Sequence, residues 1–185
     1  MMTRTLQSLS IVMAFALAAC ASTSQRTTEP GREDIAALPF SADDIRKAMK
    51  VGTEITLRDE DGAGKVKLVE WTVTEANADE VTLHTKILSE DFKLVEDQGT
   101  SVHKWTEMRD HAAFPVDQTV RSEGMLTVPV GVHETWLYVV SSTNEDGKNV
   151  ESFYQFAKTL PGPPVQMSIV VDGKVVRKMT MVGRR

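Results

Sequence analysis

The apolar positions of this chain change character along its length. An uncharged, mostly apolar run fills residues 9–19 and follows a short start carrying Arg4. A polar stretch without apolar rhythm comes next, ASTSQRTTEPGR at residues 21–32, interrupted by Pro30 and Gly31. One short segment then repeats its apolar residues at helical spacing, and from Thr53 onward apolar and polar residues largely alternate. Helical spacing marks an amphipathic helix, and alternation marks a half-buried strand.

The helical segment opens at Ser41, with Asp44 three residues on, which predicts an N-cap and a favourable charge at the positive end of the helix dipole. Ile45, Ala48 and Met49 supply its apolar face, Gly52 is the predicted stop, and Phe40 is placed to staple against Ile45. Strands are predicted over 53–58, 66–74, 81–88, 101–108, 119–128, 134–142, 150–158, 165–171 and 174–182. In the second, Val69, Trp71 and Val73 share one face, whereas Val66 and Leu68 fall in the opposite phase, which predicts a bulge near Leu68. Val81, Leu83, Thr85 and Ile87 alternate on the third, while His84 points with the polar Thr82 and Lys86. Asp172-Gly173, between two β-branched runs, predicts a hairpin with a type I′ turn.

Short turns between so many strands predict an all-β, mainly antiparallel fold: a curved sheet or half-barrel of about nine strands with one short N-terminal helix. Residues 136–140 are apolar without alternation, as are 167–171 in part, so these strands are expected to be covered on both faces. A sheet wrapped around the Ser41 helix would do this, and so would one wrapped around a hydrophobic ligand. The predicted organisation is a signal peptide at 1–19, Cys20 and a flexible, disordered tether over 20–37, and a single β-rich domain at 38–185. That domain is large enough to bury a core without staples.

The start of the chain carries more specific information. A positive start, a short apolar run and small residues before a cleavage point have the layout of a secretory signal, and the run is shorter than the roughly 20 residues of a membrane span. It ends in Leu17-Ala18-Ala19-Cys20, which resembles the lipobox of bacterial lipoproteins. The resemblance implies cleavage between Ala19 and Cys20 and acylation of Cys20. Two or more acyl chains hold a protein stably on a membrane, each buried CH₂ contributing about 0.8 kcal/mol. Ala21 and Ser22 after the cysteine, with no Asp at the first of these positions, resemble lipoproteins sorted to the outer membrane. The tether following Cys20 reaches about 20 Å on random-coil scaling, which keeps the domain near that surface, facing the periplasm.

Two further segments carry a looser resemblance. Residues 127–138, TVPVGVHETWLY, and residues 153–165, FYQFAKTLPGPPV, resemble the Pro-x-Gly strand and the aromatic strand with a Leu-Pro-Gly turn of small periplasmic β-barrel or half-barrel proteins of unknown function. Their general shape is similar to the lipoprotein carriers of the Lol system, which hold acyl chains in an open barrel. The likeness covers about residues 125–182, and Val132, His133 and Thr135 stand where that family often has Thr-Phe-x-Cys. It implies a fold, and no catalytic residue.

Charge and composition narrow the remaining classes. The net charge is −5, from 21 Lys and Arg against 26 Asp and Glu, and loss of Arg4 with the signal makes it −6. Nucleic acid is disfavoured as a partner, since it calls for a basic face. Cys20 is the one cysteine, so the domain holds no internal disulfide, CxxC redox pair or cysteine-built zinc site. Asp59, Asp61, Gly64 and Glu70 match four positions of a calcium loop, but Ala63 stands where an oxygen ligand belongs and the flanks read as strands, so an acidic β-turn is expected instead. His84, His103, His111 and His133 have no metal-site spacing. Ser101-x-x-Lys104 matches a nucleophile motif that needs a helix, and here it lies on a predicted strand with the two side chains on opposite faces. Residues 104–111, KWTEMRDH, read as an exposed strand, either charge-guarded or partner-binding.

The expected function is therefore a lipid-anchored, periplasm-facing binding or envelope-assembly module without catalytic activity or cofactor. One alternative is a carrier of a hydrophobic ligand or lipid, with a cavity lined by residues such as Trp71, Leu83, Trp136 and Phe153. Another is a hydrolase with an unidentified site. Expected partners are the membrane, through lipid on Cys20, and an envelope protein or hydrophobic ligand.

Overall fold

Ser41 does what its position predicts. In the computed structural model, which describes residues 34–185, its hydroxyl accepts the Asp44 N–H at 3.1 Å while the Asp44 carboxylate accepts the Ser41 N–H at 3.0 Å. This reciprocal cap starts helix α1, Ala42–Ala48. The helix ends at Met49, before the predicted stop; Gly52 instead takes φ +89° in the turn that leads into the first strand, a conformation side chains disfavour. Residues 1–33, with the proposed cleavage site, Cys20 and most of the tether, lie outside the described residues.

Nine antiparallel strands follow: β1 Glu54–Asp61, β2 Val66–Ala76, β3 Glu80–Leu88, β4 Leu94–Lys104, β5 Thr119–Val128, β6 Gly131–Thr143, β7 Asn149–Ala157, β8 Gln166–Val171 and β9 Lys174–Arg184. They form one open sheet in the order β4-β3-β2-β1-β9-β8-β7-β6-β5. Every neighbour is joined by a short connection except β1 and β9, the first and last strands, which pair with each other. The sheet's two free edges are therefore β4 and β5. The chain passes between them through a second helix, α2 at Trp105–Asp110, and a 3-10 turn at Val116–Gln118. The predicted fold class is the observed one. Asp172 and Gly173 take φ of 48° and 76°, the two left-handed values a type I′ turn requires.

Two local expectations are corrected. Residues 105–108 are not strand but the first part of α2: the Glu107 carboxylate turns back to accept the Lys104 N–H at 3.1 Å, and the Trp105 ring swings inward. The strand that does occupy this region, β4, begins earlier, at Leu94. There is no bulge at Leu68; β1 and β2 pair in unbroken register past it, and the irregularity falls between Val73 and Glu75 against β3. Leu68 is out of phase because it sits on the other face of the sheet, directly across from Leu88, and both are buried there.

The main core lies on the face that carries Leu57, Val73, Leu83 and Met181 from one half of the sheet and Tyr138 and Phe156 from the other. Phe40 reaches beyond α1. It packs edge-on against Trp136 and Phe156, with ring centroids 5.6 and 6.2 Å away. Residues 35–37, placed in the tether by the sequence, also make contacts with the domain. Ile35 bridges to Pro115, the Ala36 N–H donates to the Phe114 carbonyl at 2.8 Å, and the Tyr138 hydroxyl donates to the Ala37 carbonyl. The segment before α1 thus closes over the sheet rather than continuing the tether.

Candidate functional site

The four residues proposed to line an apolar cavity do not share one face of the sheet. Leu83 is buried in the main core and Trp71 packs against it from the same face. Trp136 is held on that face by Phe40, but Phe153 pairs with Val139 on the opposite face of β7, away from Tyr154 and Phe156. The concave side is filled by the protein's own aromatic rings: Phe114 stacks on Tyr154 with centroids 4.6 Å apart, and Tyr138 meets Phe114 at 5.5 Å and Phe156 at 5.7 Å.

The densest polar constellation lies around Trp136, where β5, β6 and the end of β7 meet. Cross-strand pairing sets it out: Arg121 faces Tyr138, Glu123 faces Trp136 and Phe156 faces Trp136 from the other side. Lys158, one residue past β7, reaches back to Glu123 at 2.7 Å and Glu134 at 2.6 Å, and its ammonium lies 5.6 Å from the centre of the Trp136 ring. The indole N–H donates to Glu123 at 3.2 Å. The hydrogen bond from Lys158 lowers the Glu123 carboxyl below its usual range, and the two carboxylates raise the Lys158 ammonium above its own. The Arg121 guanidinium lies over Trp136 at 5.2 Å and Tyr138 at 5.6 Å, a cation–π arrangement. Its buried Nε has no hydrogen-bond partner among the described residues.

Burial pushes the Tyr138 hydroxyl up to about 12, with Arg121 acting in the other direction. An unfolded tyrosine ionises near 10, so between these values the unfolded chain releases a proton that the folded one keeps. The stabilisation is complete below pH ~10 and is lost as pH rises towards about 12. Tyr138→Phe is expected to be less stable than the parent at neutral pH, having lost the bond to Ala37, and to flatten the alkaline fall. Urea melts of both proteins between pH 8 and 12 measure the difference; parallel curves would remove Tyr138 from the account.

The other candidate groups are engaged elsewhere. Asp59, first in the calcium-like pattern, is 6% exposed and receives two 2.9 Å bonds from the Arg177 guanidinium. The Asp61 carboxylate accepts the Ala63 and Lys65 N–H groups, each at 2.9 Å, and so shapes the turn. His84 meets Asp97 at 2.7 Å, on the polar face with Lys86. His103 meets the Ser101 hydroxyl at 2.8 Å within β4, where Lys104 falls on the other side. An open groove of about 740 Å³ runs beside α1, lined by charges of both signs including Asp43, Arg46, Asp79, Glu80 and Lys104. Among the described residues no three His, Cys, Asp or Glu side chains gather to hold a metal ion.

The Trp136 cluster was not predicted. Its only trace in the sequence is that Arg121 and Glu123, and likewise Glu134 and Trp136, are spaced by two and so share faces of their strands; bringing them together requires the register. No family model matches the chain, and no curated protein is significantly similar to it.

Proposed function

We propose that the chain is an exported lipoprotein, cleaved before Cys20 and anchored through lipid on Cys20 to the periplasmic side of the outer membrane. There its half-barrel domain binds or assembles envelope proteins without catalysing a reaction. The observation that carries the binding reading is the filled concave face: Phe40, Phe114, Tyr138, Tyr154 and Phe156 occupy the space where a carrier would hold an acyl chain. The charged groups near it favour the same reading, since Lys158 is held between Glu123 and Glu134. What the domain offers a partner is its open sheet edges and exposed strand faces.

A photoactivatable fatty acid fed to cells making the full chain tests this. Label confined to the peptide that begins at Cys20 is the expected result. Light-dependent label on peptides containing Trp71, Leu83 or Trp136 would establish a lipid carrier instead.

A further inference from the structure

We propose that the β5 edge is where two copies of this chain join, edge to edge and antiparallel, about a two-fold axis at Ser122. The proposal rests on the fold alone, not on the lipid anchor. An edge strand presents a row of unpaired backbone donors and acceptors, and proteins that remain single blunt such edges with bulges, lysines or prolines. The two edges of this sheet differ in that respect. Along β4 the register shifts twice, Gly99 takes φ +73°, and Lys104 closes the strand. Along β5 the pairing with β6 is unbroken from Thr119 to Val128, without a proline or lysine. Val120 and Met125 stand 69% and 68% exposed on it.

The sequence of β5 is complementary to itself in one register. Residues directly opposite in an antiparallel pair share a face, and opposite charges there are stabilising while like charges are not. Setting Ser122 against Ser122 of the second copy places Arg121 across from Glu123 twice. It also places the exposed Val120 across from Gly124, beside which there is open space for a side chain. Shifting the axis to Arg121 or to Glu123 instead opposes two like charges. Within one copy Arg121 lies over aromatic rings with no ion pair among the described residues, while Glu123, bonded to Lys158 and the Trp136 indole, still keeps 58% of its side chain exposed. The second copy supplies the missing carboxylate. A surface that meets itself about a two-fold axis closes as a dimer and does not propagate.

Charge exchange tests the pairing in the full chain, with two differently tagged copies co-expressed in a bacterial host. Arg121→Glu in both copies, or Glu123→Arg in both, abolishes co-purification, because every facing pair becomes like-charged. One copy of each variant restores it, and that recovery also demonstrates that both variants fold. Failure of the mixed pair to co-purify while each variant stays soluble, or co-purification of like with like at parental yield, overturns the proposal. Ser122→Cys, an exposed and small change, checks the register independently. Under mild oxidation it yields a covalent dimer several-fold above the parent, whereas Val120→Cys stays at the parent's level. Equal yields from the two positions overturn the two-fold at Ser122.

Discussion

Trp105→Ala lowers the stability of the domain by about 3–5 kcal/mol, the usual cost of emptying a buried tryptophan site. Trp105 is 2% exposed at the first position of α2. Its indole N–H donates to the Asn77 carbonyl at 3.0 Å and its backbone N–H to the Asp79 carbonyl at 3.0 Å. One residue thus fastens the crossing between the two sheet edges to the β2–β3 turn. The substitution removes the ring from the core and leaves a carbonyl without its donor. A domain of this size loses about 2–4 °C per kcal/mol, so the melting temperature falls by about 10 °C. Trp105→Phe keeps most of the apolar contact and costs less, chiefly the unpaired carbonyl, about 1–3 kcal/mol. Thermal melts followed by far-UV circular dichroism distinguish the two. An alanine variant that melts with the parent would mean that α2 does not hold the crossing in place.

Cys20→Ala has the largest expected effect on location. Under the proposed anchor, no thiol remains to take the diacylglycerol, so fatty-acid incorporation stops and a precursor retaining residues 1–19 accumulates. The processed form of the parent is expected in the outer-membrane fraction, released by detergent and not by salt, because acyl chains and not ion pairs hold it. Undiminished labelling of the alanine variant would place the lipid elsewhere or refute it.

The legible part of this fold was the part in which one face of a strand is buried and the other is not. β3 is legible because Val81, Leu83 and Ile87 are buried in alternation, and the Asp172-Gly173 turn because two left-handed residues have a local signature. β4 was found only at its end. Its residues from Leu94 to Lys104 are almost all exposed on both faces, so no alternation marks them, and only pairing with β3 makes them a strand. Trp105 looked like a strand aromatic; the helix depends on the Glu107 cap and on a tertiary pocket beside Asn77. Leu68 misled for a related reason, since period-two reasoning assumes one buried face and Leu68 is buried on the other by Leu88.

The site was less legible than the fold. Trp71, Leu83 and Trp136 were singled out as large apolar residues, and all three do lie on the core-facing side. Apolar character alone does not distinguish the wall of a cavity from the filling of one. The aromatic plug is drawn from residues far apart in the chain, Phe40, Phe114, Tyr138 and Phe156, and depends on the segment before α1 folding over the sheet. The charges around Trp136 come from β5, β6 and the residue after β7, and meet only through cross-strand register.

A lipid-anchored module that carries no cargo is distinguished from a lipid carrier by the mass of the intact protein. The full chain is made in a bacterium, released from membranes in detergent and weighed under native conditions, then again after extraction with organic solvent. The expected species is a chain of residues 20–185 with covalent lipid and no additional mass lost on extraction. An unprocessed chain of residues 1–185, or a bound molecule that solvent removes, would contradict the proposal.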